Sequence, residues 1–321
     1  MDFFSHMLIG AFIAAFALKS LGQEFIILAV VMAFIPDFDV FLGFFRKVRR
    51  SKLLSHKGVS HSFFAALIVS APVALIFSLI TGASFFLVWL IAFLFYSLHV
   101  ILDGLAASKI PLFYPFSKKR FRFFIDRAIN PLLALTSGII IIFYMIIRFV
   151  SPEIYYSNLS NYFLICYLGY LSYRALSKIW IQAHLPKNAK MIPGILPYSY
   201  SIYENHNTES KISFKLSKKS IFSSKTVKII DSEINRNSEE MEFYERARTL
   251  SEDYLFFSKW EAVIPIFRHN EYWITVILFL AEAYASGSAY SFEAVFDKSS
   301  KKLIHKSDGF GAVIKNQKNS K

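Results

Sequence analysis

The chain has a single cysteine in 321 residues, Cys166, and it lies inside an apolar run. That excludes a disulfide framework and any CxxC metal site, and leaves Cys166 as a small packing residue. Acidic side chains are scarce in the first half. Residues 1–185 carry 7 acidic and 16 basic residues, whereas residues 186–321 carry 16 and 20. The sequence contains no Walker loop, no GxGxxG and no Gly-x-Ser-x-Gly elbow, which excludes the common nucleotide-binding and serine-hydrolase signatures. The start, Met1-Asp2, lacks the basic region of a cleaved signal, so the first apolar stretch is expected to stay in the mature protein.

What is abundant is apolar. Hydrophobic residues make up 55% of the chain, 35 of them Phe, and mean hydropathy is +0.41. A soluble domain with a wet surface cannot be that apolar. The apolar residues fall into six runs, at about 7–18, 23–35, 61–80, 84–102, 131–149 and 161–181. The expected fold is therefore an all-α polytopic membrane bundle of about six helices over residues 1–185, with four or five helices as alternatives.

Lys and Arg concentrate in the loops. Arg46, Lys47, Arg49, Arg50, Lys52 and Lys57 lie in one, and Lys109, Lys118, Lys119, Arg120, Arg122 and Arg127 in another. By the positive-inside rule, these loops and the C-terminal half face the cytoplasm, in an integral, multi-pass protein of the cell membrane. Basic loops between apolar runs point to membrane lipids as partners rather than nucleic acid.

Pro186, Pro193, Gly194 and Pro197 read as a linker. Beyond it, residues 186–321 are expected to form a small, water-soluble, strand-rich α+β domain with a frayed final dozen residues. Strands are expected within 198–230, a helix capped by Ser238 over 238–257, and a meander from 262 to 305. His184, just before the linker, and His206, His269 and His305 beyond it are read as surface or turn residues.

The few ionisable residues of the first half converge. His99 and Asp103 are one helical turn apart at the end of an apolar run, so they share a face. Ile35-Pro36-Asp37-Phe38-Asp39 ends the second run with two carboxylates that repel unless a cation lies between them. His56-Lys57-Gly58-Val59-Ser60-His61 opens the third run, with Gly58 expected to allow a tight turn. His6 lies near the start. The helix order puts all of them on one side, and ionisable groups near hydrocarbon each need a partner or a task. Mixed imidazole and carboxylate donors suit zinc first, then manganese or iron, as one or two ions.

The order His6-x-x-x-Gly10, Pro36-Asp37-Phe38-Asp39, His56-Lys57-Gly58-Val59-Ser60-His61-Ser62 and His99-x-x-x-Asp103, with Pro115 following, resembles the YdjM-like membrane-bound metal-dependent hydrolases, over about residues 1–150. These are also called LexA-binding, inner-membrane-associated hydrolases. Lys57 stands where the family pattern has Arg. Asp126 sits near an acidic position of that family but is not expected to be a ligand. The expected metal ligands are His6, Asp37, Asp39, His56, His61, His99 and Asp103, with Asp37, Asp39 and Lys57 also in catalytic roles. The expected function is hydrolysis at the membrane–water boundary, on an anionic phosphoester or lipid-type substrate. The alternative is a non-catalytic membrane protein with a structural metal, whose C-terminal domain recruits a partner.

Overall fold

The structure is a computed structural model and describes residues 3–42, 57–106, 108–128, 130–150, 157–254, 256–257, 260–285 and 287–312. The chain divides into two compact units, Met1–Leu176 and Ser177–Lys321.

The first unit is helical. Its helices are α1 (Phe3–Ala17), α2 (Gln23–Phe34), α3 (Phe63–Thr81), α4 (Phe85–Gly104), α5 (Pro131–Val150) and α6 (Ser157–Ala183), the last continuing into the second unit. A 3-10 turn (Ile35–Phe38) and a single helical turn (Asp39–Leu42) follow α2, and a second 3-10 turn (Val59–His61) precedes α3. Ser62 caps α3: its hydroxyl accepts from the Ala65 amide at 3.1 Å. Gly82, in the left-handed region, ends it.

The six apolar runs are all helices, but the six-span bundle is not supported. Among the described residues only α3 and α4 are long and apolar enough to cross a membrane. The physical reason is length and polarity. α1, at 15 residues, and α2, at 12, reach only about 22 and 18 Å against a hydrocarbon core of about 30 Å. The apolar stretch of α5 is Pro131–Ile147. α6 is longer but carries Asn161, Arg174, Lys178 and Gln182.

α4 packs against α3, α2 and α1, and α1 also packs on α5. One core runs through Leu28, Met32, Ala66, Ala92 and Tyr96, and another joins Ile9, Phe12, Leu102, Ile140 and Tyr167. The outward side of α3 exposes Ile68, Leu75, Ile76, Leu79 and Ile80, and α4 exposes Phe86 and Leu94. So large an apolar surface is a liability in water and suits a bilayer. Cys166 is exposed on α6, contrary to the packing role expected of it.

Beside the helices lies a second buried polar cluster. Asp126 accepts from Arg174 Nη2 at 2.6 Å, the Arg127 amide at 2.7 Å, Tyr170 Oη at 2.7 Å and Asn130 Nδ2 at 3.0 Å. The pair is buried but richly hydrogen-bonded, the condition under which a buried ion pair is tolerated.

The second unit holds two four-stranded antiparallel meanders separated by helix α7 (Glu239–Ser251). The first comprises β1 (Ala189–Pro193), β2 (Ser199–Asn207), β3 (Lys211–Ser220) and β4 (Ser223–Asn235). The second comprises β5 (Val263–His269), β6 (Trp273–Leu280), β7 (Ser288–Asp297) and β8 (Leu303–Ala312). Phe243 of α7 packs on Phe296 of β7, with Phe279 and Phe292 also fully buried.

Three expectations change here. The Pro-rich linker contains β1, because Pro193 sits at the strand's end, where its missing N–H costs no ladder bond. Ser238 precedes α7, but its hydroxyl donates to the Asn235 carbonyl at 2.7 Å instead of capping the helix. The first residues of the expected frayed tail are strand, since β8 runs to Ala312; residues 313–321 lie outside the described residues. The four histidines of this half are exposed.

Candidate metal centre

The site is assembled where α2, the 3-10 turn before α3, and α4 meet. The turn Ile35–Phe38 presents Asp37. The turn Val59–His61 presents His61, and the last two turns of α4 present His99 and Asp103. His61, His99 and Asp103 are fully buried; the Asp37 side chain is 14% exposed and is the member that meets solvent.

Hydrogen bonds fix both imidazoles. A carbonyl can only accept, so His99 Nδ1–H donates to the Ala33 carbonyl, at 2.8 Å. The Ser60 hydroxyl donates to Asp39 Oδ2 at 2.5 Å. His61 Nδ1–H therefore faces acceptors, Ser60 Oγ at 3.0 Å and Asp39 Oδ2 at 3.3 Å. Each neutral ring then turns its Nε2 lone pair inward, with the two Nε2 atoms 3.3 Å apart. Two lone pairs at that distance repel unless a positive charge lies between them.

The carboxylates complete the group. Asp37 Oδ1 is 3.6 Å from His61 Nε2 and 3.5 Å from His99 Nε2. Asp103 Oδ2 is 3.1 and 3.8 Å from the same two atoms. All four ligand atoms lie within 4.8 Å of one another, so Asp37, His61, His99 and Asp103 could hold a metal ion. A tetrahedral ion with bonds of 2.0–2.1 Å sets its donors about 3.3 Å apart. The five separations above bracket that value. Imidazole rings oriented by a carbonyl and a carboxylate are also how metal-ligating histidines are held.

The surrounding charge agrees. Lys57 donates its backbone amide to Asp39 Oδ2 at 3.0 Å and its ammonium to Asp103 Oδ1 at 2.8 Å. Three carboxylates (Asp37, Asp39, Asp103) less one ammonium leave a charge of −2 in this cluster when the imidazoles are neutral. A divalent cation balances it. Burial pushes the His61 imidazole down, but Asp103, Asp37 and Asp39 more than reverse this and hold it up to about 10, so that without a cation the ring itself takes up a proton in the cation's place. The Asp37 carboxyl, which burial alone would raise, is held well below the usual range by His61 and His99. Both shifts describe a pocket that favours positive charge.

The remaining sequence-proposed residues sit around this group. His6 lies on Asp103 Oδ1, with Nε2 donating at 3.2 Å, and its ring stacks on His99 with centroids 4.0 Å apart. Asp39 stands behind His61. Lys57 is buried and bound to two carboxylates. His56 lies outside the described residues. In the turn expected to rest on Gly58, the left-handed residue is Lys57, at φ 61, and Gly58 has a φ of −90. Asp126 is tied up with Arg174, away from the four-atom group. Two contributors carried no side-chain signal in the sequence: the Ala33 carbonyl, and the Ser60 carbonyl, which accepts from Tyr96 Oη at 2.8 Å. Both are backbone atoms, visible only once the helices are packed.

No curated protein and no solved structure matches the chain. The family model described as YdjM inner membrane protein matches residues 1–178, more than half of the sequence. The segment it covers contains every residue of the four-atom group, and the chain belongs to the YdjM inner membrane protein family.

Proposed function

We propose that this protein is a membrane-bound, metal-dependent hydrolase with one ion, zinc first, held by His61, His99 and Asp103. The observation that carries the reading is the convergence of inward-facing donors at tetrahedral spacing, with one member, Asp37, opening to solvent. Two imidazoles and one carboxylate are a ligand set of catalytic zinc sites, which keep a further position for water or substrate. An ion held there supplies Lewis-acid activation of water and of the scissile group.

The chain's own residues do the rest. Asp37 is placed to accept the proton of an attacking water, with its carboxylate within 3.6 Å of both imidazoles. Asp39 and the Ala33 carbonyl hold the two rings in one tautomer and orientation. Lys57 fills the second cation position beside Asp103, at Oδ1, which favours one ion over two. Six basic residues between Arg46 and Lys57 would draw an anionic phosphoester or lipid-type substrate to the membrane boundary. The charge asymmetry of the loops supports a multi-pass arrangement with this site on the cytoplasmic side.

A second reading has an observation of its own. If Asp37 also binds the ion, four protein donors saturate a tetrahedral shell and the metal is structural. Asp37→Asn separates the two. As a base outside the ligand set, its loss leaves bound metal near wild type and abolishes turnover in a screen of phosphoesters and lipids. As a fourth ligand, its loss strips the metal. Retained metal with retained turnover would sink the role given to Asp37.

A further inference from the structure

The β3–β4 hairpin turns on two large apolar residues. Two-residue hairpin turns favour Asn, Asp and Gly, whose backbones accept the required conformations. The opposite end of β3 turns through polar residues, Thr208, Glu209 and Ser210, between β2 and β3. Between Ser220 and Ser223, which pair across the ladder, the turn is instead Ile221-Phe222. Both are exposed, Phe222 at 79%. Turn chemistry does not explain two large apolar side chains held out at a strand tip, and departures of this kind mark functional positions.

The tip is also built. The Ile221 amide donates to the Tyr198 carbonyl at 2.9 Å, and the Tyr198 and Phe222 rings lie 5.8 Å apart. Leu196, in the β1–β2 connection, and Val227, on β4 opposite Lys218, are exposed as well. Lys218, Lys219, Lys225 and Lys228 border the tip, and no acidic residue occurs between Ser217 and Ile230. Lys228 pairs with Asp231. Among the described residues the other three enter no ion pair.

We propose that this hairpin tip docks on an anionic lipid surface, its apolar side chains entering the headgroup region and its lysines meeting lipid phosphates. Charge selects the occupant. An apolar knob ringed by lysine stems suits an interface whose outer layer is anionic and whose inner layer is hydrocarbon. A second copy of the tip would bring lysine rings together and be repelled. The chain belongs to an inner-membrane family, so a bilayer is tethered to this domain by the polypeptide itself.

The test uses the full chain in nanodiscs, with Cys166→Ser removing the native thiol. An environment-sensitive fluorophore is placed at Phe222→Cys, at Val227→Cys as an independent tip position, and at Glu209→Cys at the far end of the same sheet. With equimolar phosphatidylcholine and phosphatidylglycerol, both tip probes should shift to the blue. Spin-labelled lipid should quench them several-fold more strongly than the Glu209→Cys probe. Combining Lys218→Gln, Lys219→Gln and Lys225→Gln, or using phosphatidylcholine alone, should remove most of that difference. Equal quenching of tip and control probes would overturn the proposal. So would quenching indifferent to phosphatidylglycerol, or a blue shift in detergent that grows with protein concentration, which would assign the tip to a second copy.

Discussion

Gly10→Ala perturbs the metal centre without touching a ligand. Gly10 lies on α1, one turn after His6, where α1 crosses α2. A Cβ built there falls 2.5 Å from the Ala33 Cβ. Carbon atoms rest at about 3.5–4.0 Å, so the helices must part by about 1–1.5 Å. Ala33 supplies the carbonyl that holds His99 Nδ1–H at 2.8 Å. If the displacement is taken up there, the distance reaches about 4 Å and the hydrogen bond is lost. Losing such a support of a ligating histidine weakens metal binding by about 10–100-fold, and overpacking separately costs about 1–3 kcal/mol of stability. Competition with a chromogenic zinc chelator reads the first quantity and thermal unfolding the second. The double variant Gly10→Ala/Ala33→Gly returns the missing volume and keeps the carbonyl, so it should recover most of the affinity. Wild-type affinity in Gly10→Ala, or no recovery in the double variant, would refute the reasoning.

Other consequences are simpler to measure. Arg174→Met strands the buried Asp126 carboxylate and should cost about 3–5 kcal/mol in unfolding experiments, with the double variant Asp126→Leu/Arg174→Met costing less. Lys57→Met removes a charge-assisted hydrogen bond to Asp103 and should lower the stability of the metal-free protein by about 1.5–3 kcal/mol, as read from its thermal midpoint. In the β7–β8 turn, the Ser300 amide and the Ser299 and Ser300 hydroxyls hold the Asp297 carboxyl down to about 2 from 3.8. A depressed carboxyl stabilises above its unfolded value, and this contribution disappears as pH falls through about 2. A carboxyl-detected NMR titration placing Asp297 near 3.8 would contradict the turn geometry.

Much of this was legible in the sequence, for definite reasons. Long apolar runs must be buried or embedded, so all six helices of the first unit show through. The second meander shows because short apolar runs such as Trp273–Leu280 are bounded by polar residues at 269–271 and 297–302. The scarcity of acidic residues made Asp37, Asp39 and Asp103 conspicuous. The runs at 7–18 and 23–35 already fall short of the roughly 20 residues of a full span, whereas the polar residues that disqualify α6 lie inside a run of sufficient length. What stayed hidden depends on packing. Imidazole spacing did not say that His6 faces Asp103 Oδ1 rather than the two inward Nε2 atoms. β1 was masked by prolines that sit at its borders, and the left-handed turn before His61 falls on Lys57 because its amide and ammonium each reach a carboxylate. The Ala33 carbonyl has no side-chain signature at all.

The proposed function stands or falls on whether His61, His99 and Asp103 share one ion at the end of α4. Elemental analysis of the purified full-length protein, after equilibration with zinc and removal of free metal, tests it most directly. One zinc per chain is expected in the parent protein and in the surface variant His206→Ala, and little or none in His61→Ala or Asp103→Ala, with all four still recovered in the membrane fraction. Full metal content in the His61→Ala and Asp103→Ala proteins would contradict it.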